Sequence, residues 1–457
     1  MLAVLTSLAF MNPRITSYFS TYDLQNKLRL AKMVRIGGES TARESIEVDP
    51  TKTYQTILGF GGTFSENAAY NFKRISPAMQ DKVMKMYLDP KEGANWSLLR
   101  INLNSCDASS KVYTFDDAAG DIDLKHFSIQ PDIDNNMIPS LRRVMQLRPD
   151  AKIMASPWSA PAWMKDSKIN NHGKLLPEYQ PVWADYMVRF VSEYKKNGVP
   201  IWCVTPQNEP EASWQKWDAM GWSNKDLGDF VHNHLAPKLR AAHPEVEIIG
   251  WDHNKNNLER WAKDTLTSPE RKKDYQGIAY HWYEGGEGRF YEPLDKFAKM
   301  YPDIPYIANE QGLFGTFMLD AHAAELYATD ILENMNHGAM GWIVWGFFFD
   351  HLGGPNHAKN PSHTPIMVMS DYKSLIVNPT YYYIAQVSKF VNRGAKRVAC
   401  SAPTGLLTSA FVNPDGGTVV VVLNKGDNEA KVRLSVGQAG GELVVPPHSL
   451  STHIVGK

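Results

Sequence analysis

The sequence is poor in cysteine, in net charge and in long apolar runs, and each shortage excludes a class of protein. Its 457 residues include three cysteines, Cys106, Cys203 and Cys400, whose wide spacing and odd number predict neither a disulfide framework nor a metal-ligand cluster. A formal net charge of −1 provides no field that attracts nucleic acid or anionic lipid. Every apolar run is well short of the ~20 residues that a membrane-spanning helix needs. We therefore expect no nucleic-acid partner and no stable membrane anchor.

Signals for a leader peptide, a cofactor and a metal are also weak. Residues 1–10, MLAVLTSLAF, are apolar but have neither a basic segment nor a clear cleavage site. We interpret them as the start of a strand region or as a truncated leader, and favour a cytoplasmic location over secretion. No G-x-G-x-x-G opens a helix, and no cofactor is expected. His351, His357 and His363 are evenly spaced across a loop that offers no converging geometry, so no metal site is predicted. A metal-dependent hydrolase stays open as an alternative.

What the sequence does contain is a regular alternation of strand-like and helical patterns. Segments with helical spacing, such as 177–198 with its stop signal Asn197-Gly198, lie between short β-branched or aromatic runs. The eight strand-like runs are 55–62, 97–104, 151–158, 200–209, 246–252, 276–283, 304–310 and 338–348. Eight alternations predict an α/β protein with a (β/α)8 TIM barrel. A doubly wound open sheet is the second choice, and the missing G-x-G-x-x-G argues against it.

Both ends of the chain have a different character from the middle. After about residue 389, short β-like runs are separated by hairpin signals such as Pro-Asp-Gly-Gly, and the runs before residue 55 are similar. We predict an attached β-sandwich domain formed from both chain ends. The expected division is 1–54 for N-terminal strands of the sandwich, 55–388 for the catalytic barrel and 389–457 for the C-terminal sandwich.

Two glutamates at predicted strand ends point to a chemistry. Glu209 closes the fourth strand-like run and Glu310 the seventh, and strand ends of a barrel meet at one face. Glycoside hydrolysis needs such a pair, one carboxylic acid to protonate the leaving oxygen and one carboxylate to attack or to activate water. Other strand ends are also polar or aromatic: Arg100, Asp107, Trp158, Asn208, Asp252, His281, Tyr283 and Trp345. The pattern predicts an enzyme that cleaves sugars, and a catalytically inactive carbohydrate-binding barrel is the alternative.

With these residues in view, the chain resembles glycoside hydrolase family 30, especially its glucosylceramidase branch. The blocks that carry the resemblance are GFGGTFSENAA, LLRINLNSCD, FSIQPD, ASPWSAPAWMK, TPQNEPEA, IAYHWYEG, IANEQG and GPNH, in this order. The resemblance implies a retaining β-glycosidase in which Glu209 is the acid/base and Glu310 the nucleophile. It also implies that the following residues bind the substrate: Arg100, Asp107, Trp163, Asn208, His281, Tyr283, Trp345 and Asn356.

The resemblance implies a β-glucosidase or glucosylceramidase-like enzyme of carbohydrate or sphingolipid metabolism, with a β-glucoside or β-glucan oligosaccharide as its partner. A β-1,6-glucanase, or a β-xylosidase or β-fucosidase of the same family, is the alternative. The loop 211–222, EASWQKWDAMGW, is shorter than in the lysosomal members. The resemblance therefore does not decide whether the leaving group is ceramide.

The mechanism sets expectations for charge and distance. Double displacement requires carboxyl groups roughly 5 to 5.5 Å apart, against ~8 Å for inversion. We expect Arg100 and Tyr283 to hold the pKa of Glu310 down, and desolvation to raise that of Glu209. Other carboxylates, namely Glu66, Glu211, Glu284 and Glu287, are predicted to be solvated. Trp158, Trp202 and Trp342 are predicted to pack in the protein interior.

Overall fold

The computed structural model describes residues 14–31, 34–35, 41–283, 290–315, 319–437 and 439–456. Three sets of predictions fall wholly or partly outside these ranges. Residues 1–10, residues 32, 33 and 36 within the β-like runs before residue 55, and the carboxylates Glu284 and Glu287 are not described.

Eight parallel strands close into a barrel at the centre of the chain, which confirms the predicted fold class. Four strands precede it: β1 (Arg14–Thr21), β2 (Arg29–Leu30), β3 (Val34–Arg35) and β4 (Glu44–Thr56). The barrel strands are β5 (Gly59–Thr63), β6 (Leu98–Leu103), β7 (Lys152–Pro157), β8 (Cys203–Val204), β9 (Glu247–Asn254), β10 (Gly277–His281), β11 (Tyr306–Gln311) and β12 (Gly341–Val344). Each lies within or overlaps one of the eight runs that the sequence predicted.

Helices surround the barrel. They are α1 (Glu66–Phe72), α2 (Pro77–Leu88), α3 (Gln130–Asp134), α4 (Met137–Leu147), α5 (Gln180–Lys196), α6 (Asn224–Phe230), α7 (Ala236–Ala242), α8 (Leu258–Thr265), α9 (Pro269–Lys272), α10 (Glu292–Met300), α11 (Ala321–Asn336) and α12 (Pro379–Ser388). Local chemistry starts them: Ser76 accepts from the backbone of Met79 before α2, with Pro77 in the first turn. Among the described helices, none combines the length and apolar character needed to cross a bilayer.

The barrel interior is tightly packed where β5 meets β6. Gly61 has so little space that an added Cβ would lie 1.6 Å from the carbonyl oxygen of Leu98. A larger residue there forces the two strands apart, so this glycine is required by close backbone approach. Strands such as β6 and β9 are buried along nearly their whole length, which explains their continuous apolar character in the sequence.

The β-domain is built from both ends of the chain, as predicted. After a three-stranded sheet of β13 (Phe349–Asp350), β14 (Ile366–Val368) and β15 (Leu375–Val377), the C-terminal strands are β16 (Lys396–Cys400), β17 (Leu406–Val412), β18 (Thr418–Asn424), β19 (Ala430–Val436), β20 (Ala439–Val445) and β21 (Ser449–Val455). N-terminal β1 pairs with β21, and β4 lies between β16 and β19. The expected division at 54/55 falls two residues before the end of β4, and that at 388/389 falls at the end of α12.

Hydrogen bonds join the β-domain to the barrel helices. The Tyr383 hydroxyl on α12 donates to the carbonyl oxygen of His448 at 2.6 Å, and Asn336 at the end of α11 donates to that of Thr408 at 2.9 Å. A separate apolar core lies within the β-domain and includes Ile15, Ile46, Val420 and Leu434. The N-terminal strands therefore contribute both to the sheet and to its core.

Leu434→Ala should test this core. Leu434 on β19 is fully buried, so the truncation leaves a cavity and should lower the free energy of unfolding by about 3 kcal/mol. Lys431→Ala on the same strand is the matched control, because Lys431 is exposed and should change that free energy by less than about 0.5 kcal/mol. Urea titration followed by circular dichroism measures both. Equal effects of the two substitutions would contradict the described burial.

Candidate active site

The backbone leaves regular strand geometry after β8 and near the end of β9. Glu209 has a backbone φ of 45° and its N–H donates to the carbonyl oxygen of Asp252 at 2.9 Å. Trp251 and Asp252 also have positive φ, 68° and 60°, and the pairing of β9 with β10 shifts register nearby. Non-glycine residues rarely adopt this conformation, and such strain is typical of functional sites. The fold thus holds Glu209 in place from the neighbouring strand.

Glu310 lies on β11 and is held by two hydrogen-bond donors. Its carboxylate forms an ion pair with the guanidinium of Arg100 and accepts from the Tyr283 hydroxyl at 2.9 Å. The side chain is 7% exposed, so almost all of it is removed from water. These contacts orient one carboxylate oxygen toward Arg100 and the other toward Tyr283.

Arg100, fully buried on β6, connects four strand ends. It donates to Ser156 Oγ at 3.1 Å, to Asn208 Oδ1 at 2.6 Å and to both carboxylate oxygens of Asp252 at 3.0 and 3.1 Å. Burial by itself raises the pKa of Asp252, but the charge of Arg100 and the hydrogen bond from His281 bring it well below its ordinary range. Asp252, a strand-end residue that the sequence analysis did not assign to the site, is therefore the ionised partner of Arg100.

His281 lies between three carboxylates. Its Nδ1 is 3.2 Å from Glu209 Oε1, and its Nε2 is 2.9 Å from Asp252 Oδ1 and 3.7 Å from Glu310 Oε2. Although burial opposes a charge on the ring, these carboxylates raise the pKa of His281 to about 10. The ring is thus an imidazolium near neutral pH and donates from both nitrogens. Because one ring contacts both glutamates, the structure brings Glu209 and Glu310 to a single site.

The pKa shifts of the two glutamates run in the directions opposite to those expected. Burial raises the pKa of Glu209, but the hydrogen bond from His281 and the charges of His253 and His281 outweigh it and leave that pKa below the ordinary value. Burial raises the pKa of Glu310, and the opposing charges of His281 and Arg100 do not compensate fully. The sequence predicted a raised pKa for Glu209 and a lowered pKa for Glu310, since it does not show that His281 lies beside Glu209. The two carboxyls titrate as one coupled system.

A cavity of 430 Å³ lies over the two carboxyls. This volume is typical of small-molecule sites. Its lining consists of Asp107, Trp158, Asn208, Glu209, Glu211, Ala212, Trp214, Gln215, Trp217, His253, Asn254, Tyr283, Glu310, Phe314 and Asn360. A groove of 440 Å³ between α2 and α4 has no carboxylate among its described lining residues, so the cavity over the glutamates is the candidate active site.

Most predicted site residues come together here. Asp107 lines the cavity and accepts from Asn360 Nδ2 at 3.0 Å. Burial and then the charge of Glu310 raise the pKa of Asp107 to about 7. Asn208 and Tyr283 line the cavity as well, and Arg100 and His281 lie directly beneath it, in contact with Glu310 and Glu209.

Besides Arg100 and His281, three predicted residues are not among the described lining of the cavity. The Trp163 indole N–H donates to the carbonyl oxygen of Asp116 at 3.0 Å, and Trp345 is buried against Trp158. The Asn356 amide donates to the carbonyl oxygen of Asn360 at 2.6 Å and accepts from its N–H at 2.7 Å. Asn356 thereby shapes the loop that places Asn360 against Asp107. Substrate contact by these three residues stays a prediction.

Several residues have environments that sequence reasoning did not anticipate. Trp158 was predicted only to pack, yet it lines the cavity, and its ring lies 4.7 Å from the Arg100 guanidinium carbon. Glu66 was predicted to be solvated but is fully buried and accepts from the N–H and hydroxyl of Ser110. Glu211 was also predicted to be solvated, and it faces the cavity in an ion pair with Arg260. His253 and Asn360 follow no motif, and no sequence signal identifies them.

Histidines near the site form hydrogen-bonded networks. Among the described residues, Glu209, His253 and His281 place one ligand-type atom each within 4.8 Å of one another. Both nitrogens of His281 already face carboxylates, so this group resembles a proton-holding network more than an open ligand set. The three loop histidines face different partners: His351 lies near Ser370, His357 near Asp218 and His363 near Thr380.

Comparison with known proteins agrees with this geometry. The model of the glycosyl hydrolase family 30 TIM-barrel domain matches residues 57–391, and that of the family 30 beta sandwich domain matches residues 394–453. The chain is 30% identical to the lysosomal acid glucosylceramidase of Mus musculus over 428 residues, which cover 90% of this chain and 83% of that protein.

Solved structures show the same similarity in three dimensions. SrfJ from Salmonella typhimurium superposes with a TM-score of 0.91 at 30% identity, covering 97% of this chain and 99% of that one. The endo-β1,6-glucanase BT3312 superposes with a TM-score of 0.86 at 27% identity, covering 97% and 100%. The resemblance inferred from the sequence blocks is thereby confirmed: the chain belongs to glycosyl hydrolase family 30.

Proposed function

We propose that this protein is a retaining β-glycosidase that hydrolyses β-glucosides by double displacement. The observation that carries the proposal is the convergence of Glu209 and Glu310, from the ends of β8 and β11, on one imidazole under one cavity. Two carboxyls at one cavity are what such chemistry requires. A relative named glucosylceramidase and a similar structure named endo-β1,6-glucanase support a β-glucosyl substrate.

In the first step, Glu310 attacks the anomeric carbon while Glu209 protonates the leaving oxygen. Arg100 and Tyr283 orient the Glu310 carboxylate for attack through their hydrogen bonds. The two carboxyls titrate as a coupled pair, and the reaction requires a proton on Glu209 when the leaving oxygen arrives. The bond from sugar to leaving oxygen breaks as the bond from sugar to Glu310 forms.

In the second step, Glu209 takes a proton from water, which displaces Glu310 from the sugar. The negative charge of Glu310 is absent in the glycosyl-enzyme, which lowers the proton affinity of Glu209 and suits it to act as a base. His281, bonded to Glu209 through Nδ1, keeps that carboxyl oriented in both steps.

The sugar ring itself is proposed to bind beside Asp107 and Asn208. Asp107 can accept from two neighbouring hydroxyls, and Asn208, whose Oδ1 is held by Arg100, lines the same cavity and has an amide nitrogen that can donate to the sugar. The buried indole N–H of Trp345 has no hydrogen-bond partner among the described residues, which supports its predicted role in binding the substrate. Trp163 and Asn356 are proposed site residues on the strength of the resemblance alone.

We also propose a reducing, cytoplasmic location. All three cysteines are free thiols, and Cys106 and Cys203 are buried. Proteins of oxidising compartments more often pair their cysteines.

Glu310→Ala should abolish turnover of every β-glucoside, because no other group can form the glycosyl-enzyme. Proton NMR of the unaltered protein should show the β-anomer of glucose as the first product, and its α-anomer only after mutarotation. Glu211→Gln is the matched control: this carboxylate faces the same cavity but is paired with Arg260, and the variant should lose less than about tenfold. An α-anomer as first product would mean inversion and contradict the proposal.

Glu209→Ala should separate substrates by leaving group. With an alkyl β-glucoside the loss in kcat/KM should be about 10²- to 10⁴-fold, because the poor leaving group needs a proton. With a dinitrophenyl β-glucoside the first step should be nearly unaffected, and azide should restore turnover by attacking the glycosyl-enzyme without a base. Pre-steady-state release of dinitrophenol measures this step. Equal losses for both leaving groups would assign the acid to another residue.

Asp107→Asn should change the pH profile. Because the Asp107 pKa is raised to about 7, the carboxyl is protonated below that pH and becomes a double acceptor only above it. kcat/KM of the unaltered protein should therefore rise as pH increases toward 7, and the asparagine variant should lack this limb. In the asparagine variant, the plateau value of kcat/KM should be about 10- to 100-fold lower than in the unaltered protein, because hydrogen bonds to a charged group are lost. If the rising limb persists unchanged in the variant, another group produces it.

A further inference from the structure

Two large aromatic side chains at the mouth of the active-site cavity are exposed to solvent. Trp214 is 72% exposed and Phe314 is 42% exposed, and both line the cavity. Single exposed apolar residues are common on protein surfaces, but two that flank the same reactive cavity point to a binding role. We call this pair the aromatic rim.

Trp214 is presented by a loop that the fold holds in place. Within the loop 211–222, Asp218 accepts from Ser105 Oγ at 2.9 Å and faces His357 Nε2 at 2.8 Å. Lys165 donates to the carbonyl oxygen of Ala219 at 2.8 Å. These bonds fasten the loop to three neighbouring segments, so the exposed indole belongs to an ordered surface.

The aromatic rim lies where the leaving group must pass. Trp214 follows the proposed acid, Glu209, by five positions, and the N–H of Ala212 donates to the carbonyl oxygen of Glu209 at 2.9 Å. On the other side, the Phe314 ring is 5.2 Å from the ring of Tyr283, whose hydroxyl contacts Glu310. A group attached to the leaving oxygen therefore extends from Glu209 toward the rim.

The surroundings of the rim favour a sugar ring over a lipid chain. Gln215, Asn254, Asn360 and the ion-paired Glu211 line the same cavity. An acyl chain offers no hydrogen bonds to these amides and would remove their polar atoms from water, which is unfavourable. A pyranose has an apolar C–H face for an indole or phenyl ring and hydroxyls for neighbouring amides.

We propose that Trp214 and Phe314 form a subsite for the sugar unit that carries the leaving oxygen, so that the preferred substrates are β-linked glucosyl oligosaccharides. The proposal rests on the proposed glycosidase function and specifies its leaving group. The sugar on the anomeric side binds beside Asp107, and the next unit binds against the rim.

The test compares a substrate that reaches the rim with one that does not. Gentiobiose has a sugar leaving group, whereas β-glucosyl fluoride has only a fluoride. Trp214→Ala should lower kcat/KM for gentiobiose about tenfold, the value of one aromatic contact, and leave that for the fluoride within about twofold. Trp214→Phe should retain most of the activity on both substrates, and Phe314→Ala should behave like Trp214→Ala.

Leu352→Ala is the matched control, because Leu352 is 62% exposed and is not among the described lining residues. It should affect neither substrate. Binding provides a second measurement: in the inactive Glu310→Gln background, calorimetry should show about tenfold weaker gentiobiose binding when Trp214→Ala is added, and unchanged binding of glucose.

Two results would overturn the subsite, and a third would overturn the proposed function. Equal effects of Trp214→Ala on gentiobiose and on the fluoride would show that the rim does not hold the leaving sugar. A larger effect on glucosylceramide in detergent than on gentiobiose would assign the rim to a lipid. If the unaltered protein fails to hydrolyse the fluoride, the proposed function itself is wrong, which separates that failure from failure of the subsite.

Discussion

The buried ion pairs of Arg100 with Asp252 and Glu310 are the interaction on which the active site depends. The Arg100 and Asp252 side chains are fully removed from water and that of Glu310 nearly so, and the three groups come from three different barrel strands. Taking such charges out of water is costly, and removing one partner typically destabilises a protein by about 3 to 5 kcal/mol because the other charge is left unpaired. The barrel accepts this cost where the carboxyl ends of its strands converge. The same contacts that stabilise Arg100 also set the orientation of the proposed nucleophile.

Around this pair, His281 links the two glutamates into one electrostatic unit. Its imidazolium contacts Glu209 and Asp252 and approaches Glu310, so a proton gained or lost by one group changes the pKa of the others. This explains why neither glutamate can be assigned an independent pKa from its own neighbours in sequence. A retaining mechanism uses such coupling, because the acid must become a base once the nucleophile has lost its charge.

The rest of the fold supports this unit and controls access to it. The β-domain anchors α11 and α12 through the bonds of Asn336 and Tyr383, while loops from β8, β11 and β12 shape the cavity mouth. The chemistry therefore resides on buried strand ends, and the choice of leaving group on exposed loop residues such as Trp214. Related proteins that share the barrel can differ in leaving group for this reason.

Local features of the sequence predicted the barrel, the β-domain from both chain ends, and the meeting of Glu209 and Glu310 at one face. Strand alternation and strand ends are local features, and a parallel barrel necessarily collects its carboxyl ends at one face. Folding of distant segments, which no local pattern shows, brings Asn360 and His253 to the cavity, bonds Asn356 within its own loop and buries Glu66. Burial and the charge of His281 also set the directions in which the pKa values of Glu209 and Glu310 shift. These properties depend on loops from distant parts of the chain meeting across the rim and on removal of charges from water, and neither is encoded in a local pattern.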